Sequence, residues 1–103
     1  MSIKNALQAI EEIVRNLKNQ DADEKLASYN TIGTLLTRIE ENTKDNNYPN
    51  YKIYKQDLLA CCEVLCGIEK NKAYDDGEQA GRALCAIRKM GSYSCFNVDN
   101  HYI

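Results

Sequence analysis

Residues 51–70 have the sequence YKIYKQDLLACCEVLCGIEK, and this stretch decides the predicted fold. Its apolar side chains recur at spacings of three and four, which places them in one stripe along a helix. The stripe consists of Tyr51, Tyr54, Leu58, Cys61, Leu65 and Ile68. Leu59, Cys62 and Cys66 widen it, and a helix that is apolar over so much of its girth must be surrounded by other elements. We therefore predict the central helix of a small bundle, ending near Asn71.

Three other segments have the same helical period. They span residues 3–18, a stretch that runs to about residue 42, and residues 76–90. Asp21 with Glu24, and Asp75 with Glu78, have the spacing of a capping box at a helix start. The expected inner positions are Ile3, Leu7, Ile10, Val14 and Leu17, then Leu26, Tyr29, Ile32, Leu36 and Ile39, and finally Ala80, Leu84 and Ile87 with Ala83 and Cys85 beside them.

The length of the chain and the small number of Pro and Gly residues indicate its domain organisation. A chain of 103 residues is long enough for one modest core, and its one Pro and five Gly leave long uninterrupted helical runs. Gly33 interrupts the second helix, where it either permits a close helix crossing or is a tolerated defect. We predict an all-α fold: residues 1–91 form a four-helix antiparallel bundle, and residues 92–103 form an irregular C-terminal tail that folds back or docks elsewhere.

Charge and hydropathy exclude two classes of partner. The sequence contains thirteen basic and fifteen acidic residues, and neither half of the chain is basic. We therefore expect no nucleic-acid partner. No run of about 18 apolar residues exists, so we expect no membrane partner. Glu11 and Glu12 fall where a signal peptide needs an apolar core, and the expected location is therefore cytoplasmic.

The five cysteines favour reduced, mostly buried thiols. Their number is odd and most lie in predicted helices, unlike the cysteines of a secreted disulfide scaffold. Such cysteines usually serve as small core residues, so we expect no cofactor and no metal. The alternative is a zinc site formed by Cys62, Cys66, Cys85 and His101, or a redox sensor that adds Cys95, although the sequence contains no CxxC motif.

Catalysis has little support in the sequence. The single histidine, His101, lies three residues from the end of the sequence, and a nucleophile–base pair would have to recruit it. No glycine-rich phosphate-binding loop is present, because the residues that follow Gly81 lack the required Lys-Ser/Thr. We therefore predict that the protein is not an enzyme.

Aromatic residues indicate a partner surface. Tyrosine is favoured at interfaces because it combines a large apolar body with a polar tip. The predicted partner-binding residues are Tyr48, Tyr93, Phe96 and Tyr102. The alternative is that Tyr51 and Tyr54 close the end of the bundle and the aromatic residues of the tail cover it.

These observations predict a small non-catalytic module that binds another protein, as an adaptor, inhibitor or immunity-type protein. A four-helix bundle of this length with an irregular tail is similar to the small helical bacteriocin-immunity proteins. The resemblance covers architecture alone, implies a partner-binding role and assigns no residue. Two alternatives remain: a cysteine-based metal or redox sensor, and a structural homo-oligomer, such as a homodimer, that pairs the stripes of the second and third helices between chains.

Overall fold

The computed structural model describes residues 3–42, 49–69 and 75–91. These ranges contain α1 (Ile3–Asn16), α2 (Ala22–Asn42), α3 (Pro49–Leu65) and α4 (Asp76–Met90), and a short 3₁₀ turn (Leu17–Asn19) follows α1. No strand occurs in the described ranges, so the predicted all-α fold with four helices is confirmed. None of these helices combines the length and the apolar character that crossing a membrane requires.

The four helices pack as a ring. α3 makes its most extensive contacts with α4, α1 packs on α2 and α4, and α2 packs on α3. Tyr29 near the start of α2 bonds Glu63 near the end of α3, and Tyr51 at the start of α3 bonds Glu40 near the end of α2. Such contacts are expected of antiparallel neighbours. α3 has its most extensive contacts with α4, and its side chains share the main core with residues of all three other helices.

One core joins all four helices. Its fully enclosed side chains include Ile10 from α1, Ile32 from α2, Leu58 from α3 and Met90 from α4. A smaller cluster of Leu17, Leu65 and Cys66 lies at one end of the bundle. The other members of the main core are Ala6, Leu7, Val14, Leu35, Leu36, Ile39, Tyr51, Cys61, Cys62, Ala83, Ala86 and Ile87.

Both predicted helix starts carry the expected caps. The Asp21 carboxylate accepts from the Glu24 backbone N–H at 2.8 Å, and the Glu24 carboxylate accepts from the Asp21 N–H at 3.0 Å. The Asp75 carboxylate accepts from the Glu78 N–H at 2.7 Å, which makes Asp75 the N-cap of α4. These bonds satisfy backbone donors that have no partner inside the helix.

The end of α3 differs from the prediction. Gly67 has φ of 77°, its N–H donates to the Val64 carbonyl at 3.1 Å, and the Ile68 N–H donates to the Glu63 carbonyl at 2.8 Å. This pair of bonds is a Schellman motif, which ends a helix at a glycine in the left-handed region. α3 therefore stops at Leu65, well before Asn71, and Ile68 leaves the stripe and is 48% exposed.

Several inner positions also differ. Leu26 is 46% exposed, whereas the sequence placed it in the inner stripe of α2. In α4 the buried positions are Gln79, Ala83, Ala86, Ile87 and Met90, while Cys85 is exposed. Of the predicted positions, Ile87 and Ala83 are buried, whereas Ala80 and Leu84 are half-buried and pack against the edge of the core. Alanines occur on both faces of this helix, so the sequence pattern does not define its most buried face.

Two glycines have simpler surroundings than the sequence suggested. Among the described residues, a Cβ placed on Gly33 would meet nothing within 4 Å, so none of the four helices crosses closely there and the tolerated defect is the alternative that agrees with the structure. Gly91 caps α4 as expected, but its φ of −78° is right-handed and makes no use of the freedom of glycine.

Candidate functional site

The three cysteines in and directly after α3 are core residues. Cys61 and Cys62 lie in the main core, Cys66 lies in the smaller cluster, and no disulfide joins the described cysteines. Burial raises the pKa of the Cys61 and Cys66 thiols, and it raises the pKa of Cys62 to about 12. These thiols are therefore protonated at neutral pH, whereas metal binding and disulfide exchange need the thiolate.

The alternative zinc site does not assemble from the described residues. Cys62 and Cys66 are buried, while Cys85 is exposed on α4. Within residues 3–42, 49–69 and 75–91, no three or more His, Cys, Asp or Glu residues come together as a metal site would require. His101, the fourth candidate ligand, and Cys95 lie outside the described residues.

The predicted partner-binding residues are untested by the structure. Tyr48, Tyr93, Phe96 and Tyr102 all lie outside the described residues, so their role stays a prediction. The tail to which three of them belong, residues 92–103, lies outside as well.

Tyr51 and Tyr54 close the α2–α3 end of the core. Tyr51 is buried, and its hydroxyl donates to the Glu40 carboxylate at 2.9 Å. Lys55 pairs with the same Glu40 oxygen at 2.8 Å, and the Lys89 Nζ lies 5.5 Å from the centroid of the half-buried Tyr54 ring. Both tyrosines are thus committed to internal contacts.

A polar contact inside the α2–α3 interface has no counterpart in the sequence prediction. The half-buried Tyr29 hydroxyl donates to the Glu63 carboxylate at 3.0 Å. Burial raises the pKa of Tyr29, and the neighbouring Glu63 raises it further. The only strongly polar residue in the apolar stretch of α3 therefore acts as an acceptor for the neighbouring helix.

A groove with a volume of about 410 Å³ lies where four helix ends meet, and we call it the basic groove. The end of α1 and its 3₁₀ turn, the start of α2, the end of α3 and the start of α4 all contribute to it. Its apolar lining comes from Val14, Leu17, Leu65, Ala80 and Leu84, and its charged lining comes from Arg15, Lys18, Lys25 and Asp76.

The charges of the basic groove are uneven. Arg15 pairs with Glu11 at 3.3 Å, and both side chains are exposed. Lys25 is half-buried, and its positive charge opposes part of the rise in the pKa of the Cys66 thiol. Lys18 is exposed beside the apolar lining, and Asp76 supplies a negative charge on the α4 side.

Two exposed apolar side chains lie at the same end of the bundle. Leu26 directly follows Lys25, and Ile68 lies three residues after Leu65, the last residue of α3. They are 46% and 48% exposed. Ile53, 55% exposed, lies near the start of α3 and so at the opposite end of that helix. The groove could not be predicted from the sequence, because its residues come from four separate segments and none of these segments has a distinctive motif.

A smaller pocket of about 180 Å³ lies between α3 and α4. Cys61, Asp57, Gln79 and Arg82 contribute to its lining. Gln79 is 2% exposed, and its Nε2 finds no hydrogen-bond partner among the described residues. Because that nitrogen is itself shielded from solvent, this pocket is a weaker candidate than the basic groove.

Comparison of the chain with protein-family models, with curated proteins and with solved structures gave no match in any of the three.

Proposed function

We propose that the protein is a non-catalytic module that binds another protein through the end of the bundle that carries the basic groove. The observation that carries this proposal is the combination of an apolar concave lining with the exposed side chains of Leu26 and Ile68 at the same end of the bundle. Contiguous apolar surface with a polar rim is typical of interaction sites.

The raised pKa values of one tyrosine and three cysteines support a binding role over one that uses these groups in catalysis. Burial is the largest cause that raises the pKa of Tyr29, Cys61, Cys62 and Cys66. General acids, bases and thiol nucleophiles need pKa values near the working pH or below it. These four groups are instead held neutral.

The test compares two ends of the same molecule. Leu26→Ser combined with Ile68→Ser removes the exposed apolar side chains at the groove end, and Ile53→Ser is the matched control at the other end of α3. Each full-length variant, checked for folding by circular dichroism, serves as bait in the native host, and captured proteins are purified for calorimetric titration. We expect one partner that binds wild type and Ile53→Ser alike and loses affinity for the double variant.

Other outcomes would contradict this proposal. If Ile53→Ser loses the partner and the double variant keeps it, the interface lies elsewhere on the bundle. If light scattering shows that the purified chain alone is a stable oligomer that the double variant dissociates, the structural homo-oligomer is the correct function. If native mass spectrometry finds bound zinc, the metal sensor is the correct function.

A further inference from the structure

The pocket of about 180 Å³ between α3 and α4 is too small to dock a protein, but it has the features of a site for a small molecule. We propose that it binds a small zwitterion of the α-amino acid class, with the carboxylate of the ligand on the α4 side and its ammonium group on the α3 side. The pocket shares no lining residue with the basic groove, so this inference goes beyond the protein-binding function proposed above.

The α4 wall of the pocket contains a buried amide without a partner for its nitrogen. Gln79 lines the pocket and is 2% exposed, and its Nε2 finds no hydrogen-bond partner among the described residues. Such a donor is unfavourable, because it has lost its bonds to water without replacing them. The last torsion of a glutamine side chain is broad and roughly two-fold, so a turn of the amide presents this nitrogen to a molecule in the pocket. An acceptor atom on the ligand would complete the wall.

The charged groups are divided between the two walls. Arg82 follows Gln79 by three residues, so both side chains lie on one face of α4 and both offer N–H donors. Arg82 also interacts within the protein, and its five donors allow a carboxylate to bind at the same time. The opposite wall has two carboxylates, Asp57 in α3 and Glu69 beyond its C-terminal end. The α4 wall therefore suits a negative group, and the α3 side suits a positive one.

Neither a simple anion nor a simple cation matches this lining. Its two carboxylates outnumber its one guanidinium, so the lining as a whole opposes an anion. A cation without an acceptor atom leaves the Gln79 nitrogen unpaired. A zwitterion complements both walls at once, because it carries an acceptor group and a positive group on the same molecule.

The size of the pocket limits the side chain of the ligand. A water molecule occupies about 30 Å³ in the liquid, so the pocket has room for roughly six waters or for a molecule of the same total volume. Ala60 and Val64, one turn apart on α3, contribute short apolar side chains to the lining. Alanine fits this space, whereas tryptophan exceeds it.

The experiment is a titration of the ¹⁵N-labelled full chain with L-alanine, followed by the NMR signal of the Gln79 side-chain NH₂ group. That signal is identified by its absence in Gln79→Met. We expect L-alanine to shift it saturably and L-tryptophan to leave it unchanged. Acetate and ethylamine each carry only one of the two charged groups, so each should bind at least about tenfold more weakly than L-alanine.

Two variants and a matched control test the α4 wall, with binding followed at the backbone N–H of Val64. Gln79→Met removes the amide and Arg82→Gln removes the guanidinium, and each should weaken binding of L-alanine by about tenfold or more. Arg88→Gln removes an exposed arginine of the same helix that does not line the pocket, and it should leave binding unchanged. If circular dichroism shows that Gln79→Met is unfolded, Arg82→Gln and the comparison with acetate and ethylamine still decide.

Several results would overturn the inference. These are the absence of a saturable shift of the Gln79 signal with L-alanine, equal binding of acetate or ethylamine, and an equal loss of affinity in Arg88→Gln. Magnetisation transfer from a long-lived water to the Gln79 NH₂ group, without a response to L-alanine, would show that the pocket holds water only. The protein-binding function is tested separately at Leu26 and Ile68, and none of these results affects it.

Discussion

The Cys62 thiol is completely enclosed in the core between α3 and its neighbours. Burial is the main reason that its pKa rises from 9.0 to about 12, and the nearby Cys66, Cys61 and Glu63 raise it further. A thiolate at this position would lose its hydration without gaining a positive partner. At the scale of the single residue, cysteine therefore acts here as a small apolar side chain.

Alkaline unfolding tests this assignment. The folded protein holds the Cys62 proton more tightly than the unfolded chain does, so the stability that this group confers is complete below about pH 9 and is lost as the pH rises towards 12. Between these limits the free energy of unfolding should fall by about 1.4 kcal/mol per pH unit for each thiol of this kind.

The measurement is urea unfolding followed by circular dichroism at a series of pH values. Cys62→Ala should be less stable at pH 7 but should show a shallower loss of stability above pH 9 than wild type. The raised pKa values of Cys61, Cys66 and Tyr29 leave a residual slope in the variant. An unchanged slope would show that the Cys62 thiol is not buried in solution.

At the scale of the element, the boundaries of the helices depend on a few capping residues. Gly67 ends α3 in the left-handed region, whereas Gly33 lies within α2 in an ordinary helical position with open space around its Cα. Asp75 begins α4 with a side-chain bond to the Glu78 N–H. These residues differ in what a substitution would do, and each difference can be measured.

The same substitution at the two glycines should have opposite effects. Gly67→Ala forces a Cβ into the left-handed region and should lower the free energy of unfolding by about 1–2 kcal/mol. Gly33→Ala should raise it by about 0.5–1 kcal/mol, because alanine is the better helix former and meets no atom there. Chemical denaturation of both variants beside wild type measures the pair. A stabilising Gly67→Ala would mean that α3 does not end in the Schellman motif.

The N-cap of α4 gives a second test at this scale. Asp75→Ala removes the acceptor for the Glu78 N–H and should cost about 1 kcal/mol of stability. Asp75→Asn keeps an acceptor at the same position and is the matched control, with a loss of no more than a few tenths of a kcal/mol. Thermal melts of the two variants provide the comparison. Equal losses would show that the charge of Asp75 matters rather than its cap bond.

At the scale of the whole molecule, the four helices share one hydrophobic core and should unfold together. Leu58 is fully enclosed among residues from the other helices, so its truncation affects the core that all of them share. Truncation of an exposed side chain such as Ile53 leaves the shared core intact. The core therefore couples the stability of each helix to the others.

Truncation at these two positions measures that coupling. Leu58→Ala should lower the free energy of unfolding by about 2–5 kcal/mol through lost burial and the cavity that is left. Native-state hydrogen exchange should then show reduced protection in α1 and α2 as well as in α3. Ile53→Ala should change stability by less than about 0.5 kcal/mol. Loss of protection confined to α3 would argue against a single cooperative core.

The residues by themselves determined the helical content and the helix starts. The apolar periods of α1, α2 and α3 and the Asp-x-x-Glu patterns at Asp21 and Asp75 depend on local geometry, because capping bonds and helix faces involve residues three or four apart. Burial of Cys61, Cys62 and Cys66 followed from the same period. These predictions needed no knowledge of which helix packs against which.

Only the tertiary structure decided the rest. The order in which the helices pack and the exposure of Leu26 and Cys85 depend on how the helices turn towards one another. The basic groove is the clearest case: Lys18, Lys25, Leu65 and Ala80 are distant in sequence, and packing alone brings four helix ends together. Local spacing determines an element, whereas a surface shared by several elements exists only after they pack.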